Sequence, residues 1–209
     1  NGLPQNTAAA ILQARDGYLW IGTYGGLCRF DGEQMRVFDT VTGPHLRGNR
    51  ITCLHESADG TLWLGSDQSG LASYSAGRFQ PCPEVSASAI QTLASDVGGH
   101  LLVGTPTALL IQDGASFRAL HPEHLQNVRR ILLCSSGELL AAAEGGLWRF
   151  DGGGAALLAG CIALCLAEFE GQVLIGTERG LYRLDEDGLA PWEPLAGLQT
   201  SVHALLPSR

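Results

Sequence analysis

"DGYLWIGTYGGLCRFDG", residues 16–32, sets Gly17, Gly22, Gly25, Gly26 and Gly32 around three short apolar pieces. Glycine at that density disfavours a helix, where each interior glycine costs about 1 kcal/mol relative to alanine. The pieces also fall far short of the roughly 20 residues that a membrane-spanning helix needs. Nearly the same phrase returns as "DGTLWLGSDQSGLASYSAG", residues 59–77. Recurrence at a regular period outranks any local pattern in deciding a fold.

Three markers keep step through five copies. A glycine ahead of an apolar tripeptide stands at 17, 60, 99, 137 and 171, at spacings of 34 to 43 residues. Five residues on come Gly22, Gly65, Gly104, Ala142 and Gly176. Then follow Gly26-Leu27, Gly70-Leu71, Ala108-Leu109, Gly146-Leu147 and Gly180-Leu181, with one extra residue in the second copy.

Each copy holds four short segments bounded by Gly, Asp or Pro. In the first they are "AAAILQA", "YLWIGT", "GLCRFD" and "QMRVFD"; in the fifth, "IALCLAE", "QVLIGT", "GLYRLD" and "LAPWEP". Links this short join antiparallel neighbours, because a parallel crossover needs a dozen residues or more. Four antiparallel strands per unit of about 40 residues is the pattern of a β-propeller blade. A helical solenoid of similar period is excluded by the missing 3.6-residue periodicity and the glycines in mid-copy.

The chain is therefore expected to be all-β, with blades at about 7–43, 50–87, 89–122, 127–160 and 161–197. "TSVHALLPSR", residues 200–209, reads as the first strand of a sixth. A ring cut there would leave exposed strand edges, so the chain reads as a propeller fragment. Trp20 and Trp63 share one repeat position, filled later by Leu102, Leu140 and Leu174. A large side chain there can fill the wedge between blades, and the glycine two residues on allows close backbone approach or a bulge. "HPEHLQNVRRILL", residues 121–133, has room for a single helical turn.

Composition narrows the partners. Of 209 residues 45% are hydrophobic and 16% charged, enough apolar content for a sizeable core, and the net charge is −8. Such a chain lacks the general basic field that draws proteins to nucleic acid or acidic lipid. No signal-peptide pattern and no initiator Met are present. The six cysteines lie scattered inside apolar pieces without a C-x-x-C pair, which suits small buried hydrophobes better than disulfides.

The copies resemble the two-component regulator propeller repeat, whose pattern is roughly D-x-x-G-x-L-W-I-G-T-x-x-G-L-x-R-[YF]-D. "DGYLWIGTYGGLCRFDG" follows it almost throughout, "EGQVLIGTERGLYRLD" follows it well, and "GLPQNTAAAILQARDG" is typical of what precedes it. Asn6 recurs as Asn49 and Asn127. Copies three and four have drifted, with Ala142 for the second glycine and "TPTALLIQDG" without the Gly-Leu pair. The resemblance implies a seven-bladed ring, of which five blades are present. It also implies a periplasmic or other extracytoplasmic sensor domain of a membrane-anchored receptor. The output domain would be a cytoplasmic histidine kinase or diguanylate cyclase.

The residues offer little chemistry. His121 and His124 could share a metal on a helical turn, but no third ligand stands near them in sequence. Aspartates 16, 31, 59, 113, 151 and 185 recur at turns, where a carboxylate caps local N–H groups. No nucleophile elbow, Ser-His-Asp order or phosphate-cradling loop appears, so no catalytic residue, metal or cofactor is expected.

Binding is the better reading. In a propeller, one face carries the links from second to third strand and those between blades, and residues there that depart from the repeat are free to serve a ligand. They are Tyr24, Asp67, Gln68, Glu144, Glu178 and Arg179 in the first kind of link. In the second kind they are His45, Arg47, Arg50, Arg129 and Arg130, with "VTGPHLRGNR", residues 41–50, the extended link.

This mixture suits a carbohydrate or other polar small molecule, whose binding would bias pairing of receptor copies into a homodimer. Two other readings stand beside it. One is a protein-interaction platform without a small ligand. The other is a propeller lyase or lactonase, which needs a His, Glu or metal cluster at the channel mouth.

Overall fold

A computed structural model describes residues 2–42, 46–85, 88–120, 125–151, 154–186, 188–193 and 200–205. They form twenty strands in five separate four-stranded sheets, each an antiparallel meander in chain order. The first blade holds β1 (Ala8–Gln13), β2 (Leu19–Thr23), β3 (Gly26–Phe30) and β4 (Met35–Phe38). The second holds β5 (Ile51–Glu56), β6 (Leu62–Ser66), β7 (Gly70–Ser75) and β8 (Arg78–Pro81). The third holds β9 (Thr92–Ser95), β10 (Leu101–Gly104), β11 (Leu109–Asp113) and β12 (Ser116–Leu120).

In the fourth are β13 (Arg130–Leu133), β14 (Leu139–Ala143), β15 (Gly146–Asp151) and β16 (Gly154–Ala159). The fifth has β17 (Ala163–Phe169), β18 (Gln172–Thr177), β19 (Gly180–Asp185) and β20 (Gly188–Pro191). The four-strand reading of every copy is borne out, and a 3-10 turn at Pro83–Val85 is the helical element among the described residues. In "HPEHLQNVRRILL", residues 121–124 lie outside the described residues and residues 125–129 carry no helix.

First strands of successive blades lie side by side, β1 on β5, β5 on β9, β9 on β13 and β13 on β17, so they line the axis. Between neighbouring blades sit four apolar clusters. Between blades one and two, Trp20, Leu27 and Phe38 pack on Ile51, Leu62, Leu64 and Phe79. The Trp20 indole meets the Phe38 ring at 5.9 Å and Tyr74 at 5.1 Å, while Tyr74 and Phe79 lie 4.7 Å apart. Trp20, Leu102, Leu140 and Leu174 are all buried, as the wedge position requires. Trp63 is half-buried and donates from Nε1 to Ser57 Oγ at 2.8 Å.

The marker glycines have two different reasons. Gly17, Gly60, Gly99, Gly137 and Gly171 have φ between +75° and +88°, a left-handed turn between first and second strands that other residues adopt at a cost. The second marker instead lets the next blade come close. A Cβ on Gly104 would stand 2.7 Å from the Val128 carbonyl oxygen, and one on Gly176 2.5 Å from that of Val202. At Gly22 the neighbour is Ile51, and at Gly65 it is Ile90.

Val202 N also donates to Thr177 O, as Ile90 N does to Ser66 O and Val128 N to Thr105 O. Blade four breaks the rule on both sides. Ala142 replaces the glycine, and at the position where other blades bring Ile or Val the next blade has Ala163; both are buried in one cluster.

Carboxylates fasten blades at the opposite end. Glu56 Oε2 accepts from Arg15 N across blades one and two at 2.9 Å. Glu168 does the same across blades four and five, accepting from Ser135 N at 2.7 Å and from the Ser135 hydroxyl. Between blades two and three the pair is His55 Nε2 and Ser95 Oγ, 2.7 Å apart, and burial pushes the His55 pKa below its ordinary 6.5.

Asp16, Asp31 and Asp59 accept from backbone N–H groups two or three residues on, which is the turn role expected of them. The side chain of Asp151 lies outside the described residues. All six cysteines are free thiols; burial pushes the Cys53 thiol up to about 12 and that of Cys134 up to about 11.

Two consequences are measurable. Ala163→Val should cost about 1–3 kcal/mol in urea unfolding by overpacking against Ala142. Adding Ala142→Gly should recover part of that loss, although the glycine itself costs about 0.5–1 kcal/mol in a strand. The second concerns pH. The Ser135 hydrogen bonds hold the Glu168 pKa below its ordinary 4.5. The stability they supply is present above that value and lost as pH falls through the lower folded-state value. The melting-temperature gap between wild type and Glu168→Gln should therefore shrink between about pH 6 and pH 3.

Candidate ligand-binding site

The face opposite the carboxylate latches is built by the second-to-third-strand turns and the links between blades. A hydroxyl closes most of these turns. Thr23 Oγ1 donates to Gly26 O at 2.8 Å and accepts from Gly25 N. Thr177 Oγ1 donates to Gly180 O at 3.0 Å, Thr105 Oγ1 to Ala108 O at 2.9 Å, and Ser66 Oγ accepts from Gln68 N and Ser69 N. The Thr or Ser after each second-strand glycine is thus a turn-builder, and the residues that follow it are left to point outward.

On the axis, the innermost strands carry a shared irregularity. In β1, β5 and β17 the register slips by one residue at Ala9, Thr52 and Leu164. In blades three and four the corresponding residues, Gln91 and Arg129, donate from their backbone N–H to Gly104 O and Ala142 O just ahead of the strand. A bulge residue is unpaired in the ladder and its side chain is re-aimed. Thr52, Gln91, Arg129 and Leu164, with His203 one residue past Val202, line a cavity of about 510 Å³ together with Asp67 and Arg130. That volume lies in the range of small-molecule sites, about 300–1,000 Å³.

The sequence-derived candidates distribute over this face unevenly. Asp67, Arg129 and Arg130 converge on the axial cavity. Arg50 holds Asp67 through Nε, at 3.1 and 2.9 Å to its two carboxylate oxygens, and its guanidinium lies 4.2 Å over the Tyr24 ring. Tyr24, Arg50 and Asp67 thus form one chain from blade one to the axis. Gln68 is exposed in the same turn as Asp67.

Glu144 and Arg129 border a second cavity of about 410 Å³ between blades four and five, with Asn127. Glu178 and Arg179 border a third, of about 440 Å³, beside Tyr182 and Cys161. Arg47 borders a crevice of about 10 Å³, and its neighbour Leu46 is buried between blades. His45, like His121 and His124, lies outside the described residues.

Thr52, Gln91, Leu164 and His203 are missing from the sequence-derived set. Their signal is one repeat position: the residue after Ala8, Ile51, Ile90, Val128, Ala163 and Val202, where the copies read Ala, Thr, Gln, Arg, Leu and His. Among the described residues, no three His, Cys, Asp or Glu side chains gather as a metal site would need.

Two stretches, residues 2–25 and 45–68, match the family described as two component regulator propeller. In those two stretches the chain is similar to regulator-propeller repeats. Solved structures extend the likeness to the remaining blades. The extracellular domain BT3049 of B. thetaiotaomicron, assigned to a hybrid two component system, superposes with a TM-score of 0.78 at 19% identity, over 96% of this chain and 31% of that one. For the like domain BT4673 of the same organism the values are 0.71, 20%, 90% and 27%.

Virginiamycin B lyase from Staphylococcus aureus gives 0.69 at 14% identity, over 89% of this chain and 70% of that one. At these identities the likeness establishes the fold, and the chain spans a third or less of the two extracellular domains. No curated protein sequence matches the chain. Among the described residues, no helix is long and apolar enough to cross a membrane.

Arg50→Gln should release both Asp67 and the Tyr24 ring. The paired side chains are 39% and 32% exposed, so the change in unfolding free energy should stay below about 1 kcal/mol. The Tyr24 ring proton resonances should nevertheless shift, which an NMR spectrum of the variant reads directly.

Proposed function

We propose that the chain is the ligand-sensing propeller of a bacterial signal-transduction receptor, extracytoplasmic and attached to a membrane-anchored remainder. It binds a carbohydrate or other polar small molecule in the axial cavity, and occupancy biases the pairing of receptor copies. One observation carries the reading: a cavity of ligand size is lined by the same repeat position of four successive blades, joined by His203. A ligand there touches every one of those blades at once, so binding energy acts on how they sit together. The regulator-propeller repeat and the likeness to extracellular domains of two component systems support the setting.

Residues 200–205 fit the same scheme, with Val202 set against Gly176 as Val128 is against Gly104. We take them as the start of a sixth blade in a ring of seven. The domain binds rather than catalyses; a histidine kinase or diguanylate cyclase belongs to the remainder of the receptor.

A panel of neutral and acidic oligosaccharides and polar metabolites, screened by thermal shift on the full chain, tests this. At least one compound should raise the melting temperature with a saturating dose dependence, about 2.7 kcal/mol of added stability at a hundredfold excess over Kd. No saturable shift from any compound would favour the interaction platform.

A further inference from the structure

The axial cavity is more selective than a generic polar site, and its charge says how. The chain carries a net charge of −8, yet the ionisable groups on this cavity are Asp67, Arg129, Arg130 and His203. The one carboxylate among them is already held by Arg50. Arg129 and Arg130 are exposed, and among the described residues neither forms an ion pair. Arg130 commits one Nη1 bond to the Arg129 carbonyl, at 2.7 Å, which leaves most of its five N–H donors open. Arg129 also borders the neighbouring cavity between blades four and five, where Glu144 lies; Glu144 does not line the axial one.

Neutral polar groups complete the wall. Gln91 donates from Nε2 to Asn127 Oδ1 at 2.8 Å, while its Oε1 is buried with no hydrogen-bond partner among the described residues. Whichever way the amide is turned, one of its polar atoms is left over beside the cavity. Thr52 Oγ1 has one proton to give, to the Ile90 carbonyl at 2.9 Å or the Gly65 carbonyl at 3.2 Å, and keeps its lone pairs to accept with. Ile90 and Leu164 supply an apolar side.

We infer that the axial cavity is an oxyanion site. It takes a hydroxyl-bearing ligand whose carboxylate or sulfate group lies against Arg129 and Arg130 and whose hydroxyls meet Gln91, Thr52 and His203. Two guanidinium groups with open donors match an oxyanion in both charge and hydrogen-bond direction, and such bonds are roughly twice as strong as neutral ones. A neutral ligand would leave that charge uncompensated. The inference rests on the sensing reading above and names the class of its ligand.

The test uses the full chain at constant ionic strength, titrated calorimetrically with sodium glucuronate, sodium sulfate and glucose. Glucuronate and sulfate should bind and compete with one another, with glucose at least about tenfold weaker. Arg129→Gln and Arg130→Gln should each weaken glucuronate about tenfold or more at an unchanged melting temperature, since both side chains are exposed. Equal binding of glucuronate and glucose would overturn the inference while leaving the sensing reading intact. So would glucuronate binding that survives both substitutions. If neither oxyanion binds, the inference falls, and the wider panel decides the sensing reading separately.

Discussion

The structure depends on one close approach, repeated. At the second marker glycine of four blades, atoms of the next blade lie where a Cβ would have to be, so those blades come together as they do only because that residue has no side chain. Everything else in the interface follows from the approach. The apolar clusters behind it reach packing distance, the Trp20 ring finds Phe38 and Tyr74, and carboxylates such as Glu56 and Glu168 reach the turn of the blade before. Packing at native density has no slack for one more methyl group, and blade four shows the alternative, with an alanine answered by an alanine.

The same approach places the site. The residue that meets the marker glycine is followed at once by one that lines the axial cavity, so packing between blades fixes where that next side chain stands relative to the axis. Scaffold and site are therefore one residue apart in the chain, yet they answer to different demands. Ile51, Ile90 and Val128 must be apolar to fill an interface; Thr52, Gln91 and Arg129 need only project into a cavity.

Most of the fold was legible in the sequence because it is periodic. Gly17 and its four counterparts, the Gly-Leu pairs and the wedge residues Trp20, Leu102, Leu140 and Leu174 recur, and recurrence is visible without coordinates. The site was legible only in part, for the opposite reason. Arg129 and Arg130 stood out as charges in a link, and Asp67 as a departure from the repeat. Gln91, Thr52, Leu164 and His203 hide inside or beside apolar strand segments, where a polar residue reads as ordinary alternation.

Only the register slip at Thr52 and Leu164 turns them toward the axis, and a bulge leaves no mark in composition. The Arg50–Asp67 pair spans seventeen residues across two strands and the turn between them, and needs three dimensions to be seen. Arg47 lies apart from the axial cavity, beside Leu46, which is drawn into the core.

The bulge has a further consequence. A residue left out of the hydrogen-bond ladder is also left out of the reasons that hold the rest of the strand to a fixed chemistry. Ala9, Thr52 and Leu164 sit at the bulge in three blades, and Gln91, Arg129 and His203 take the same repeat position outside a regular strand, so six different residues share one place in the frame. The repeat thereby supplies a row of independent letters on a frame that does not read them. Descendants of such a chain can change the wall of the axial cavity by single substitutions, each confined to one blade, while the architecture is inherited unchanged.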